Sequence, residues 1–400
     1  MSSESGPPAV LDRPLPPPYR RTLLPVGPPC FTTLPDGTSG WLVARYHDVR
    51  QVLTDPRFSG ARRSAAGAPR PGNERNAVND PDAIVNQDGP GHQRLRRVVQ
   101  ETFAPRAVAR WRPWIAELTE ELLDGLAESG PPADLIAPFV HALPAEVICR
   151  VMRLDGVLDR HGLARIARYM LADESVPAEE VGRARTEYGE VMAALIAERR
   201  RRPGDDVVSA LVGAADRIGD IPEAQLVHLV GSLPTAAADS TASALGNSLV
   251  HLLDERRDDW PRLGASAEDA ALATERLIHH IPLGDGEVVT RYALRDAEIG
   301  GVPVPAGAVV AIGGGHDPAV FRTVPDEPFA LFAPLEAPSL TFGAGPHYCL
   351  GAPLVRLMMQ LALHRLAARF PHLRLAEPVE AVVWRRGSTT RSPQRLPVVW

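Results

Sequence analysis

The chain has 400 residues, of which 44% are hydrophobic and 23% charged, and its formal charge is −6. This length and apolar content predict a globular protein with a substantial core, and the acidic balance argues against nucleic acid as a partner. No apolar run approaches the roughly 18 residues of a membrane span, and the N-terminus lacks a signal pattern. Three widely spaced cysteines argue against a disulfide framework, so we expect a cytoplasmic protein that does not bind membranes.

The predicted elements make this a mainly helical chain. Residues 1–18 are rich in proline and predict a flexible arm, after which residues 19–400 are expected to form one domain. A short strand at 41–46 and a helix at 47–55 lead into the stretch 59–86, whose length and Gly, Ala, Pro and Asn content are typical of a functional loop. Apolar residues at helical spacing then predict helices at 92–103, 106–128, 143–153, 158–171, 178–201, 205–215 and 223–256. Short strands are expected at 288–294, 298–307 and 308–313, and an amphipathic helix at 354–370.

The segment FGAGPHYCLG, residues 342–351, places a single cysteine among glycines just before this last helix. A helix N-terminus favours negative charge, so a thiolate at Cys349 would be stabilised there. The glycines allow the backbone to approach a flat ligand closely. An isolated cysteine is more often a buried structural residue, but the complete pattern favours a ligand.

This segment resembles the haem-binding loop of the cytochrome P-450 family, whose pattern F-G-x-G-x-H-x-C-x-G is matched at every position. The resemblance implies a mainly α fold with small β-sheets, in which haem lies between a long central helix and the cysteine loop. It implies haem b as the cofactor, with the Cys349 thiolate as the iron ligand. The other loop residues expected to contact the cofactor are Phe342, Gly343, His347 and Gly351, with His347 reaching a haem propionate.

Three further basic residues match positions that bind the haem propionates in this family. GHQRLRR, which begins at Gly91, resembles the H-x-x-x-R segment, so His92 and Arg96 are expected to meet a propionate from one helix face. VVTRYAL, residues 288–294, resembles the strand that carries the propionate-binding arginine, here Arg291. Alone, a His and an Arg four residues apart are more often a solvated helix face, but the cysteine loop favours the functional interpretation.

The predicted helix at 223–256 matches the central helix of the family, which carries the pattern A-G-x-[D/E]-T on the oxygen side. Asp239 aligns with the acid and Ser240 with the hydroxyl, and Thr241 follows, so the resemblance implies that these residues deliver protons to bound O2. Outside this context an Asp-Ser-Thr run is more often an exposed polar stripe. Pro234 predicts a kink, which we interpret as a groove for oxygen.

One family feature is missing from the sequence. The E-x-x-R pair, which braces the loop before the cysteine, aligns with Arg276 and His279 in ATERLIHHIPL. The loop at 325–340 contains no basic residue, but it contains Glu336. We therefore predict a pair of reversed polarity between Arg276 and Glu336, because removing one partner of a buried pair typically costs roughly 3–5 kcal/mol.

The resemblance implies a soluble bacterial monooxygenase that uses O2 and electrons from a ferredoxin-type donor to hydroxylate or oxidatively couple a small natural product. The donor would dock on the cysteine side, where positive charge is offered by Arg94, Arg97, Arg106, Arg356 and Arg365. The altered E-x-x-R motif leaves a second hypothesis open, in which the chain is a catalytically silent or haem-poor binding partner of another biosynthetic enzyme.

The resemblance also places the substrate pocket between the 59–86 loop, the segment near 170–180, the central helix, the residues around Val288 and Val289 and the C-terminal turn at 385–394. The polar composition of this turn predicts a polar or peptide-like substrate, with a solvent-exposed turn as the alternative. Residues expected to contact the substrate are Ala236, Val288, Val289, Thr389 and Thr390.

Overall fold

The computed structural model describes residues 26–34, 39–61, 80, 82–154, 156–170, 172, 176–283, 289–313, 317, 319–321, 330–386, 388 and 390–400. The expected arm at 1–18 and most of the expected loop at 59–86 lie outside these residues. Val288 and Thr389 also lie outside them.

Helices dominate the described chain, as the apolar periodicity predicted. The expected helix at 106–128 is two helices, because the chain turns at Arg110 and Trp111. Pro113, the second residue of the second helix, has no N–H with which to continue the first. The helices are α1 (Tyr46–Thr54), α2 (Gly89–Gln100), α3 (Pro105–Ala109), α4 (Arg112–Ser129), α5 (Ala142–Met152), α6 (Arg160–Met170), α7 (Ala178–Arg201), α8 (Val207–Ile218), α9 (Glu223–Asp254), α10 (Trp260–Ala265), α11 (Ala267–His280) and α12 (Ala352–Arg369).

Helix α9 is the central element, and most of its second half is buried in the core. It runs without interruption from Glu223 to Asp254 with Pro234 inside it. The hydroxyls of Ser232 and Thr235 donate to backbone carbonyls three residues earlier, at 2.9 and 3.1 Å, on either side of the proline. The helix therefore continues through Pro234, and no break in it supports the predicted oxygen groove.

Short strands form three small sheets in the described chain. The largest has the order β1 (Cys30–Thr33), β2 (Ser39–Val43), β8 (Val309–Ile312), β5 (Val289–Ala293) and β3 (Phe58–Ser59). In it β2 and β8 are parallel and the other pairs are antiparallel. The expected strand at 298–307 is a hairpin, because Gly300 and Gly301 turn the chain with φ of +54° and +84°. The strands are β1 (Cys30–Thr33), β2 (Ser39–Val43), β3 (Phe58–Ser59), β4 (Ala133–Asp134), β5 (Val289–Ala293), β6 (Ala297–Ile299), β7 (Val302–Val304), β8 (Val309–Ile312), β9 (Arg374–Leu375) and β10 (Pro397–Val399).

The largest hydrophobic cluster of the described chain includes residues from Leu95 in α2 to Val398 in β10. Helices α5, α9 and α12 contribute many of its fully buried side chains. A second cluster joins α1 to the largest sheet. Because α9 and α12 share the first cluster, the loop that precedes α12 is fixed close to the central helix. None of the described helices has the length and apolar character needed to cross a bilayer.

Candidate functional site

The cysteine loop is a tight turn that ends at the first residues of α12. Gly345 has φ of +66°, and a Cβ on it would lie 2.9 Å from the carbonyl oxygen of Leu53, so a larger residue would clash with backbone. Gly343 also has positive φ, at +74°. The N–H of Cys349 donates to the carbonyl of Phe342 at 2.9 Å, which closes the loop. The loop thus holds Cys349 at the N-terminus of α12, as the sequence predicted.

Cys349 faces a cavity of about 730 Å³ inside the protein. Gly351 of the same loop and Ala236 and Ser240 of α9 also line this cavity. Burial raises the pKa of the Cys349 thiol, while the N–H groups that follow it and the charge of Arg96 act in the opposite direction. The cysteine loop and the central helix therefore share one cavity, as expected for a ligand between them.

Three basic residues of α2 and the cysteine loop line one side of the cavity, and a fourth lies on β5 outside the cavity wall. His92, Arg96 and His347 line it directly, and Arg291 lies beside Gly60 with its Nη1 donating to the carbonyl of Thr290 at 3.0 Å. Burial lowers the pKa of both arginines. Among the described residues neither arginine has an ion-pair partner.

Burying a guanidinium without a direct ion pair is costly, and the charge of Asp88 offsets only part of this cost for Arg291, so these arginines fit a ligand that brings its own carboxylates. Arg96 and Cys349 both line the cavity, so a cation and a soft metal ligand lie together there, and Arg291 adds a second cation outside the cavity wall. The residues present fit a haem group bound through a thiolate.

Asp88 is a site residue that the sequence reasoning missed. His347 Nε2 lies 3.1 Å from its Oδ1, and the hydroxyl of Ser59 donates to its Oδ2. Burial raises the pKa of Asp88, but the hydrogen bonds from His347 and Ser59 outweigh it and lower the pKa to about 2. The available signal was an acidic residue directly before the G-P-G-H segment that starts α2.

His92 and His347 are in ring contact, with centroids 4.2 Å apart. Burial and then the charges of His347 and Arg96 lower the pKa of His92 to about 4. His92 is therefore neutral at pH 7 and adds no positive charge beside Arg96.

The three residues expected on the oxygen side separate in the structure. Ser240 lines the cavity, and its Oγ donates to the carbonyl of Ala236 at 2.6 Å. Thr241 is only 1% exposed, and its hydroxyl has no hydrogen-bond partner among the described residues. Ser240 is thus the one of the three that a ligand in this cavity would meet.

Asp239 is buried away from the cavity wall, in contact with the C-terminal turn. Arg385 Nη2 donates to its Oδ2 at 2.8 Å, and the hydroxyl of Thr390 donates to the same oxygen at 2.6 Å. Burial raises the pKa of Asp239, but the bonds and charge of Arg385 outweigh it, so the net pKa is lowered. Asp239 is a carboxylate at neutral pH.

The residues expected to contact the substrate are placed in different environments. Ala236 lines the cavity, whereas Val289 is 51% exposed on β5 and lies outside the cavity wall. The hydroxyl of Thr390 donates a hydrogen bond to Asp239, and Thr390 also lies outside this wall. The described wall includes Val85 of the predicted 59–86 loop, Met170 and the first half of α9, as the resemblance implied. It also includes Arg185, Tyr188 and Met192 of α7, which sequence reasoning missed because α7 carries no motif there.

The predicted pair of reversed polarity is confirmed. Arg276 Nη1 lies 3.2 Å from Glu336 Oε2, and the same guanidinium donates to the carbonyls of Ala333 at 2.9 Å and Pro334 at 2.6 Å. His279, in the place of the family arginine, lies 3.2 Å from the hydroxyl of Ser339 through its Nδ1. Helix α11 therefore holds the loop before the cysteine with a cation on the helix and an anion on the loop.

Comparison with known proteins agrees with this geometry. Residues 276–381 match the family described as Cytochrome P450. The chain is 38% identical to nocardicin C N-oxygenase of Nocardia uniformis subsp. tsuyamanensis, over 92% of this chain and 91% of the relative. It is 37% identical to mycinamicin IV hydroxylase/epoxidase of Micromonospora griseorubida, over 92% of this chain and 91% of that protein. The crystal structure of HinD with NMFT and NO superposes with a TM-score of 0.83 at 38% identity and covers 93% of each chain.

The chain belongs to the cytochrome P450 family, and its mainly α fold with small sheets is the fold of that family. It is a P450 monooxygenase of the kind that serves bacterial secondary metabolism. Membership implies a haem-thiolate cofactor, and the family acts on small molecules with O2.

Proposed function

We propose that this chain binds haem b through the thiolate of Cys349 and uses O2 to hydroxylate or oxidatively couple a small natural product. The observation that carries the proposal is that Cys349 and Ser240 line one cavity together with His92, Arg96 and His347. When bound, haem with a thiolate ligand supplies the iron that activates O2 and favours O–O cleavage. Residues 19–400 would form one haem domain, which is supported by a core cluster that includes residues from Leu95 to Val398.

Arg96, Arg291, His92 and His347 are the proposed propionate-binding residues. Their support is the absence of ion-pair partners for both arginines in the described part of the chain, together with the position of the two histidines on the cavity wall. Phe342, Gly343 and Gly351 would shape the loop around the ligand. Asp88 orients His347 through its carboxylate.

On the oxygen side, Ser240 is the proposed residue that passes protons into the cavity. Its hydroxyl can exchange its bond to the Ala236 carbonyl for a bond to water in the cavity. Asp239, the acid that aligns behind it, is held as a carboxylate by Arg385 and Thr390, so it would accept a proton and pass it on. Thr241 has a free buried hydroxyl in the described part of the chain, on the same turn of α9.

The proposed substrate is a small molecule with a mainly apolar body and at least one polar group. The apolar part of the wall includes Met170, Met192 and Val227, and the polar part includes Arg185 and His228. His228 Nδ1 is buried without a hydrogen-bond partner among the described residues, so a substrate group that bonds it would gain affinity. The polar wall residues Arg185 and His228, and not the C-terminal turn, now support the proposal of a polar or peptide-like substrate.

The proposed electron donor is a ferredoxin-type protein. Arg94, Arg97 and Arg106 are exposed on α2 and α3 and support a positively charged docking surface. Arg365 is bonded to Glu120 and Arg356 to Glu275, so these two arginines are already engaged within the chain.

The test is an absorption spectrum of the purified protein, oxidised and then reduced under carbon monoxide. We expect a Soret band at the long-wavelength position of thiolate-ligated haem, lost in Cys349→Ser and retained in the matched control Cys149→Ser. A wild-type protein without haem, or with a carbonyl spectrum that lacks thiolate character, would overturn the proposal and favour the silent-partner hypothesis.

A further inference from the structure

Two adjacent residues of α11 carry opposite charges, and they contact different segments near Cys349. Arg276 holds the loop at 333–336, as described above. Glu275 contacts α12 instead, where its Oε1 accepts from Arg356 Nε at 2.6 Å and its Oε2 accepts from Arg356 Nη2 at 3.1 Å. Two parallel bonds fix the plane of the guanidinium as well as its position.

The remaining edge of this guanidinium contacts the cysteine loop. Arg356 Nη1 donates to the hydroxyl of Tyr348 at 2.9 Å, and the guanidinium carbon lies 4.7 Å from the ring centroid of Phe342. The two rings are themselves in edge contact, with centroids 6.4 Å apart. Tyr348 immediately precedes Cys349, and the carbonyl of Phe342 accepts the Cys349 N–H. Arg356 therefore contacts both ends of the loop that closes at the cysteine.

Arg356 differs from the other arginines of α12 whose contacts are known. Arg365 and Arg369 pair with Glu120 and Asp124 of α4, and their side chains are 42% and 46% exposed. Arg356 is 26% exposed, and it connects α11 to the cysteine loop instead of to α4. A half-buried, fully oriented cation next to the loop affects it more than a surface pair does.

We propose that Arg356, held in place by Glu275, is a positioning residue for the Cys349 loop and places a fixed positive charge beside that loop. This inference rests on the proposed function, in which Cys349 is the iron ligand. Arg356 fixes the direction of the sulfur through Tyr348 and Phe342, and its charge favours negative charge on the sulfur. Because Arg356 donates to Glu275 through Nε and Nη2 and to Tyr348 through Nη1, it would not serve the docking of an electron donor.

The experiment compares purified holoenzyme with four variants and a control. Tyr348→Phe removes only the hydrogen bond to the loop, Arg356→Lys keeps the charge without the fork, and Arg356→Gln and Glu275→Gln remove one charge each. Arg369→Gln is the matched control, since it breaks an ion pair on the same helix away from the cysteine. Haem content, the carbon monoxide spectrum and the reduction potential of the haem are measured for each.

We expect Tyr348→Phe, Arg356→Lys and Glu275→Gln to raise the fraction of the carbonyl spectrum without thiolate character. Arg356→Gln should in addition shift the reduction potential to lower values, because loss of a nearby cation favours the oxidised iron. The control should match wild type in both measurements. If Arg356→Gln loses haem completely, Tyr348→Phe and Arg356→Lys still decide the question.

The proposal would be overturned if the Arg356, Glu275 and Tyr348 variants had the same spectra and reduction potentials as Arg369→Gln and differed only in melting temperature. That result would show that Arg356 stabilises the fold through its ion pair with Glu275 and does not position the cysteine loop. A wild-type protein that lacks the thiolate spectrum would instead refute the proposed function itself, so the two failures are distinguishable.

Discussion

The contact between Arg276 and Glu336 predicts a measurable coupling energy between α11 and the loop before the cysteine. The Arg276 side chain is 9% exposed and that of Glu336 is 30% exposed, so the pair is only partly screened by solvent. Arg276→Ala also removes the bonds to the carbonyls of Ala333 and Pro334, so we expect it to cost roughly 3–5 kcal/mol of unfolding free energy. Glu336→Ala leaves those carbonyls in place, and its expected cost is about 1–2 kcal/mol.

The assay is a double-mutant cycle from denaturant unfolding of the holoenzyme, with haem retention followed in parallel. The two single variants and the double variant should give a coupling energy of about 1–2 kcal/mol, because the pair is in direct contact. The exposed pair of Arg395 and Glu377, whose side chains are 64% and 48% exposed, is the control and should couple by less than about 1 kcal/mol. A coupling energy for Arg276 and Glu336 no larger than that of the control would refute the bracing role.

Further predictions concern the oxygen side, the C-terminal turn and the cysteine loop. Ser240→Ala should leave the carbon monoxide spectrum unchanged while more of the consumed O2 appears as hydrogen peroxide, and Ser240→Thr should restore product formation; equal peroxide release in wild type and Ser240→Ala would contradict this. Because the pKa of Asp239 is lowered by Arg385, its contribution to stability is present above the ordinary carboxyl pKa of about 3.9 and is lost as pH falls through its lowered value. Melting temperatures from pH 7 to pH 2 should therefore fall more steeply for wild type than for Asp239→Asn. Gly345→Ala should cost about 1–3 kcal/mol and reduce haem content, because φ is +66° and the new Cβ would meet the Leu53 carbonyl; unchanged haem content and stability would show that the loop can shift.

The sequence determined the family and the parts of the site that depend on local spacing. The pattern from Phe342 to Gly351 encodes its own turn, because glycine is needed where φ is positive and the cysteine must precede a helix start. His92 and Arg96 share a helix face by their spacing alone. Even the pair of Arg276 and Glu336 was predictable, because a buried cation requires a counter-charge and the loop offered one carboxylate in the right segment.

Only the tertiary structure decided which polar residues meet each other across distant segments. Asp239 bonds to Arg385, 146 positions away, and this contact removes the carboxylate from the cavity wall while its neighbour Ser240 remains there. Glu275 and Arg356 are separated by 81 positions, and neither residue's own neighbours indicate the contact. Periodicity gives the face of a helix but not the residue that packs against it, because that partner is set by how α9, α11 and α12 pack in the common core.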